Sequence, residues 1–220
     1  MTRIAGWAAT AAFANALFTA AQFLTSSGDP RTNAVLGLLN NLAGIGWALS
    51  FIPIAVLFYR SATHHTGSLA LVVLAIGVAA MAAAAGLEVA TATGGMTFDQ
   101  EATAYLPVFG GIGIWLVMSH GMELLGSSWP PRPRGPLFFG VGIGLAWFLA
   151  NVLFGAGGLP PTSGAAATND LTDTGATLFE LGILLQPIWG LWLGRVLRRG
   201  GSAPTRQNGG RQSPRENGKA

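Results

Sequence analysis

Six stretches of this chain are apolar over about 20 residues or more, the length that a helix needs to cross the hydrocarbon core of a bilayer. Only helices and closed barrels satisfy their own backbone in lipid, and the strand-length alternation of a membrane barrel does not recur here. The sequence therefore predicts an all-α fold: a polytopic bundle of six transmembrane helices forming one domain over residues 1–199. The predicted spans are residues 4–24, 34–59, 69–92, 105–125, 137–157 and 177–196.

Composition narrows the classes of function. Only 10% of the residues are charged, whereas ordinary globular domains carry about a quarter. Cysteine is absent, which excludes disulfides, thiolate metal sites, iron–sulfur clusters and cysteine nucleophiles. The sequence also lacks the GxSxG, HExxH and P-loop motifs, so the signatures of common enzymes are missing. We therefore favour a non-enzymatic membrane protein and predict no cofactor.

The basic residues give the orientation. Of the 12 arginines and lysines, only Arg31 falls on one side of the spans, and the other eleven fall on the opposite side or in the tail. Because cytoplasmic loops collect such residues, both termini are predicted to be cytoplasmic in a multi-pass protein of the cell (inner or plasma) membrane. Beside apolar spans these residues indicate contact with anionic lipid headgroups rather than with nucleic acid. Residues 200–220 have almost nothing apolar to bury and are predicted to be a disordered basic tail.

The first span has a second interpretation. Arg3, an apolar run and small residues near residues 16–21 resemble a secretory signal peptide. The apolar run reaches Leu24, which is longer than the roughly 7–15 residues of a signal's apolar region. We therefore predict a true helix, while cleavage there would leave five spans.

Polar and small residues lie on one arc of most spans, and several polar ones fall at a similar depth in the outer part of the bilayer. An ionisable group inside a span is costly and by default marks a functional site. We predict an outward-facing polar cleft that binds or passes a small polar or cationic ligand. Its candidate residues are Glu88, Glu180, Asn40, Asn41, Asn151 and, nearer the middle of the membrane, Gln186.

Two other interpretations of the same residues stay open. Both glutamates are within a turn or two of predicted helix ends, where water and headgroups reach them, and the helix dipole favours a negative charge at Glu180. The glycine pairs Gly140–Gly144 and Gly190–Gly194 have the spacing for close helix packing. Packing within the chain is favoured over a homo-oligomer, but a structural subunit that engages a membrane partner is the alternative function.

The inner side carries a separate candidate, His120 with Glu123 in the fourth span, preceded by His64 and His65 in the predicted second loop. Residues three apart share a helix face, so His120 and Glu123 could join in a metal site, in haem binding or in acid–base chemistry. Zinc catalysis normally needs three protein ligands. An ordinary interfacial histidine is the competing interpretation.

Three short motifs carry a resemblance. They are RIAG at residues 3–6, LFYR at residues 57–60, and LLGSSWPPRPRG between the fourth and fifth spans. In these the chain resembles an uncharacterised family of six-helix bacterial integral membrane proteins, a domain of unknown function. The resemblance implies a fold and a membrane location, and it carries over no functional residue.

Overall fold

Every element of the protein that the structure describes is a helix, which confirms the all-α fold. The structure is a computed structural model that describes residues 6–8, 10–14, 16–17, 30–126, 134–157 and 169–201. Its five long helices are α1 Pro30–Thr66, α2 Ser68–Ala92, α3 Phe98–Leu125, α4 Gly135–Gly157 and α5 Asp170–Gly201.

Each of these five helices contains a stretch that is long and apolar enough to cross a membrane. The first predicted span, residues 4–24, lies largely outside the described residues, so the count of six and the orientation of the termini stay predictions. Its described pieces are helical. A Cβ placed on Gly190 of α5 would lie 2.9 Å from the Ala12 side chain and 3.0 Å from the Ala8 carbonyl. The N-terminal segment therefore packs closely on α5 through small residues.

Two helices begin earlier than their apolar stretches indicate, because polar residues cap them. Thr97 Oγ1 accepts a hydrogen bond from the Gln100 backbone N–H, and the Gln100 side chain accepts one from the Thr97 backbone N–H. This capping box starts α3 at Phe98 rather than at residue 105. Asn169 Oδ1 likewise accepts from the backbone of Leu171 and Thr172. As a result α5 starts at Asp170 rather than at residue 177.

The connection after α1 is also shorter than predicted. Helix α1 continues to Thr66, and the single residue Gly67 separates it from α2. Gly67 has φ of 51°, a left-handed conformation that glycine adopts without a steric penalty. His64 and His65 consequently belong to the last turn of α1 rather than to a loop.

The core is a bundle in which consecutive helices pack together and α1 also packs on α3. Helices α3 and α4 approach to backbone contact, since a Cβ on Gly113 would lie 2.7 Å from the Gly144 carbonyl and the reverse pair is equally tight. That contact bears out the packing role predicted for Gly144. Large aromatic rings fill the centre, namely Trp47, Phe51, Phe109, Trp115, Trp147 and Trp189. Leucines and isoleucines such as Leu38, Leu149 and Ile188 are exposed on the outer faces, as is typical of helices that face lipid.

Candidate functional site

Two glutamates from neighbouring helices form the centre of the candidate site. Glu88 lies one turn before the end of α2, and Glu101 lies in the first turn of α3, across a connection of five residues. Glu88 is 0% exposed and Glu101 is 3% exposed. The two carboxyl groups are close enough to share a hydrogen bond. We call Glu88 and Glu101 the carboxyl pair.

Tyr105, one turn after Glu101 on α3, is the strongest partner of the pair. Its hydroxyl donates to Glu88 Oε1 over 2.6 Å and also lies 3.2 Å from the Ala84 carbonyl. A phenol has one proton to donate but can also accept. When Glu88 is ionised, the Tyr105 proton can point to Glu88; when Glu88 is protonated, Tyr105 can accept from it and donate to Ala84 instead. The positions of the Tyr105, Glu88 and Ala84 oxygens are therefore compatible with both protonation states of Glu88.

Helix α1 supplies the third side of the site. The Asn41 amide satisfies its neighbours when its nitrogen donates to Glu88 Oε2 and to the Gly37 carbonyl, each at 3.2 Å, and its oxygen accepts from the Ala92 backbone N–H at 3.1 Å. Gly44 lies one turn further along α1, and any Cβ there would overlap the Glu88 carboxyl group. Glycine at this position is what allows Glu88 to reach α1.

The charge of the site is not balanced by the protein around it. Within the described residues, the partners of Glu88 are Tyr105, Asn41 and Glu101, and none of them is cationic. Two carboxylates at this distance repel each other. They stay together only when one of them binds a proton or when another cation lies between them. Burial raises the pKa of Glu101. The pair therefore needs at least one bound proton or a bound cation.

Two buried polar oxygens, one in this pair and one on α1, have no hydrogen-bond partner in the part of the chain that the structure describes. They are Glu101 Oε1 and Asn40 Oδ1. Asn40 is 6% exposed and precedes Asn41 on α1. Buried polar atoms are nearly always paired. These two oxygens are therefore available to accept from a ligand that donates hydrogen bonds or carries positive charge.

The remaining ligand candidates lie apart from these contacts. The Asn151 amide donates to the Leu106 carbonyl, which ties α4 to α3. Glu180 is exposed on α5. Gln186 is fully buried on α5 beside the kink-prone Pro187, and neither of its side-chain polar atoms has a partner among the described residues. Of the six predicted ligand residues, the structure brings Glu88 and Asn41 into contact, with Asn40 adjacent in sequence.

His120 and Glu123 are both buried on α3, toward its end. His120 Nδ1 lies 2.9 Å from the Leu116 carbonyl and 3.1 Å from Ser119 Oγ. No group of three histidine, aspartate or glutamate side chains that could hold a metal ion occurs in the described segments. The side chains of His64 and His65 lie outside the described residues, so the metal assignment stays a prediction.

The sequence does not predict Glu101 and Tyr105 as site residues. Glu101 lies between two predicted spans, because the apolar stretch begins only at residue 105. The spacing Thr97-x-x-Gln100 was the available signal, since it is a helix start that places Glu101 and Tyr105 one turn apart on the same face.

Neither the family models nor the curated proteins nor the solved structures compared with the chain gave a match. No residue of the site therefore takes a role from a relative.

Proposed function

We propose that this membrane protein binds a small cation, or a proton in its place, at the carboxyl pair and passes it across the membrane. The observation that carries the proposal is the contact between two buried carboxyl groups, Glu88 and Glu101, without a cationic partner among the described residues. Such a pair stays buried only when positive charge joins it.

The donor set suits a small, hard cation. Glu88 and Glu101 offer carboxylate oxygens, and Tyr105 offers a hydroxyl. On α1, the amide oxygen of Asn40 has no partner among the described residues. Hard cations take oxygen ligands of these kinds. The same set can instead hold a proton between the carboxyl groups, and Tyr105 accommodates that exchange because it can either donate to Glu88 or accept from it.

The position of the site favours entry from the end of the bundle where α2 and α3 are joined. Glu88 is four residues from the end of α2, or about 6 Å along the helix axis. The connection above it, residues 93–97, contains Gly94 and Gly95 and has no bulky side chain except Met96. By the charge bias of the loops, this end is the predicted outer face of the membrane.

Thermal unfolding of the purified full-length protein tests binding directly. A ligand that binds only the folded state at about 100 times its Kd stabilises it by about 2.7 kcal/mol. We expect lithium, sodium, potassium, methylammonium or acidification to raise the Tm of the wild type at constant ionic strength. In Glu88→Gln we expect the same cation to have no effect and acidification to have a smaller one.

Glu180→Gln is the matched control, because Glu180 is an exposed glutamate of another helix. It should respond like the wild type. If no cation and no acidification distinguishes the wild type from Glu88→Gln and Glu101→Gln, the proposal is wrong. With a binding cation identified, flux of that cation into proteoliposomes measures whether the protein passes it.

A further inference from the structure

In the other half of the bundle, one side-chain nitrogen of His120 and that of Trp189 lie close to the same residue, Gly140. A Cβ on Gly140 of α4 would lie 2.9 Å from Trp189 Nε1 and closer still to His120 Nε2. His120 and Trp189 are both 0% exposed, with ring centroids 5.5 Å apart. In the described part of the chain neither nitrogen has a hydrogen-bond partner.

The hydrogen bonds of His120 fix which of its nitrogens is the acceptor. Nδ1 lies 2.9 Å from the Leu116 carbonyl, which can only accept, so Nδ1 carries the ring proton. In the neutral imidazole, Nε2 then presents a lone pair. The Trp189 indole can only donate. His120 Nε2 therefore needs a hydrogen-bond donor, and Trp189 Nε1 needs an acceptor.

The neighbours of His120 that the structure shows are aromatic rings. Phe58 lies against the imidazole at a centroid distance of 4.5 Å, and Trp115 lies at 6.3 Å. Trp115 and Phe58 are almost fully buried themselves. Among the described residues neither nitrogen has a hydrogen-bond partner, and a buried polar atom without a partner is costly, above all inside a membrane.

We propose that a hydroxyl group is bound between His120 and Trp189, next to Gly140. Its oxygen accepts from Trp189 Nε1 and its proton is donated to His120 Nε2, which satisfies both nitrogens. The hydroxyl belongs either to a buried water molecule or to an alcohol group of a small organic ligand. This site is independent of the carboxyl pair and assigns His120 a role that needs no metal.

The glycine at position 140 is part of the proposed site. A methyl group there would meet both nitrogens, so Gly140→Ala should expel the hydroxyl. Gly142 on the same helix has nothing within 4 Å of its Cβ position, so Gly142→Ala is the matched control. Trp189→Phe keeps the ring and removes only the donor, and its control is Trp192→Phe, at a half-exposed tryptophan of the same helix.

The test is solid-state NMR of the full-length protein in bilayers, with nitrogen-15 in its histidines and His120→Asn used to assign the His120 signals. We expect the Nε2 resonance to have the shift of a hydrogen-bonded lone pair and to receive magnetisation from a hydroxyl proton. Trp189→Phe and Gly140→Ala should lose that transfer, and Trp192→Phe and Gly142→Ala should keep it.

Native mass spectrometry distinguishes the two sources, since deuterium oxide exchanges the hydroxyl proton of water and of an alcohol alike. Water gives no added mass, whereas an organic ligand gives an added mass that Gly140→Ala loses. The proposal is overturned if the His120 Nε2 resonance of the wild type has the chemical shift of a lone pair without a hydrogen bond and receives no magnetisation from a hydroxyl proton. A transfer that survives in Trp189→Phe overturns it as well, because the hydroxyl would then lie elsewhere.

Discussion

The two buried polar regions of this bundle differ in how their hydrogen bonds are arranged. Around Glu88, three helices provide partners within hydrogen-bond reach, and what the region lacks is positive charge. Around His120, two side-chain nitrogens lie close to Gly140 without a partner among the described residues. The first region is therefore suited to a cation and the second to a neutral hydroxyl.

The largest effect should follow from removing the ring that closes the second region. Trp189 is fully buried and stacks on Phe51 with ring centroids 5.7 Å apart. Trp189→Ala should lower the free energy of unfolding by about 3–5 kcal/mol, as measured by SDS titration in mixed micelles. Trp192→Ala, where the indole is 39% exposed, should cost much less; equal losses would show that Trp189 is not a core residue.

Crowding the first region should have the next largest effect. Gly44→Ala places a methyl group in the space of the Glu88 carboxyl group and should destabilise the protein by about 1–3 kcal/mol. Gly37→Ala on the same helix meets nothing within 4 Å and serves as the control. Cation-dependent stabilisation should disappear in Gly44→Ala alone. Retention of that dependence would mean that Glu88 does not need its contact with α1.

Removing the Tyr105 hydroxyl should have a smaller effect on stability. Tyr105→Phe deletes the donor to Glu88 Oε1 and leaves a buried carboxyl with one partner fewer, at a cost of about 1–2 kcal/mol. Cation affinity should fall in the same variant, which a titration of Tm against cation concentration measures. Unchanged affinity together with lowered stability would restrict Tyr105 to a structural role.

The smallest expected effect is the pH dependence contributed by Glu101. Burial raises the pKa of Glu101 in the folded protein, so the folded state holds this proton more tightly than the unfolded state. The resulting stabilisation is complete below the unfolded pKa and is lost as the pH rises through the higher folded pKa. Glu101→Gln should therefore flatten the decline of Tm with rising pH. An identical pH profile in the wild type and the variant would contradict this assignment.

The first region could be predicted in part from the sequence, and the reason is periodicity. Residues three and four apart lie on one helix face, so periodicity places Gly44 on the same side of α1 as Asn40 and Asn41, and all three are buried. Glu101 was missed because hydropathy locates the apolar part of a helix and not its capped polar turn. Glu180 was selected for its position in an apolar stretch, but its orientation toward the exterior depends on how α5 is rotated against α4.

The sequence does not predict which side chains surround His120 in the second region. His120 was selected as an intramembrane histidine, yet its contacts come from Phe58 on α1, Gly140 on α4 and Trp189 on α5. Which helices surround a residue is set by tertiary packing of small against large side chains, and periodicity within one helix does not encode it.

The central claim is that the carboxyl pair holds a proton that a cation can replace, and infrared difference spectroscopy of the protein in bilayers measures this directly. The wild type without added cation should show the carbonyl band of a protonated carboxyl group, which the binding cation abolishes. Glu88→Gln or Glu101→Gln should remove that band, and Glu180→Gln should leave it. A spectrum in which no protonated carboxyl band responds to the cation or to either substitution of the pair would contradict the account.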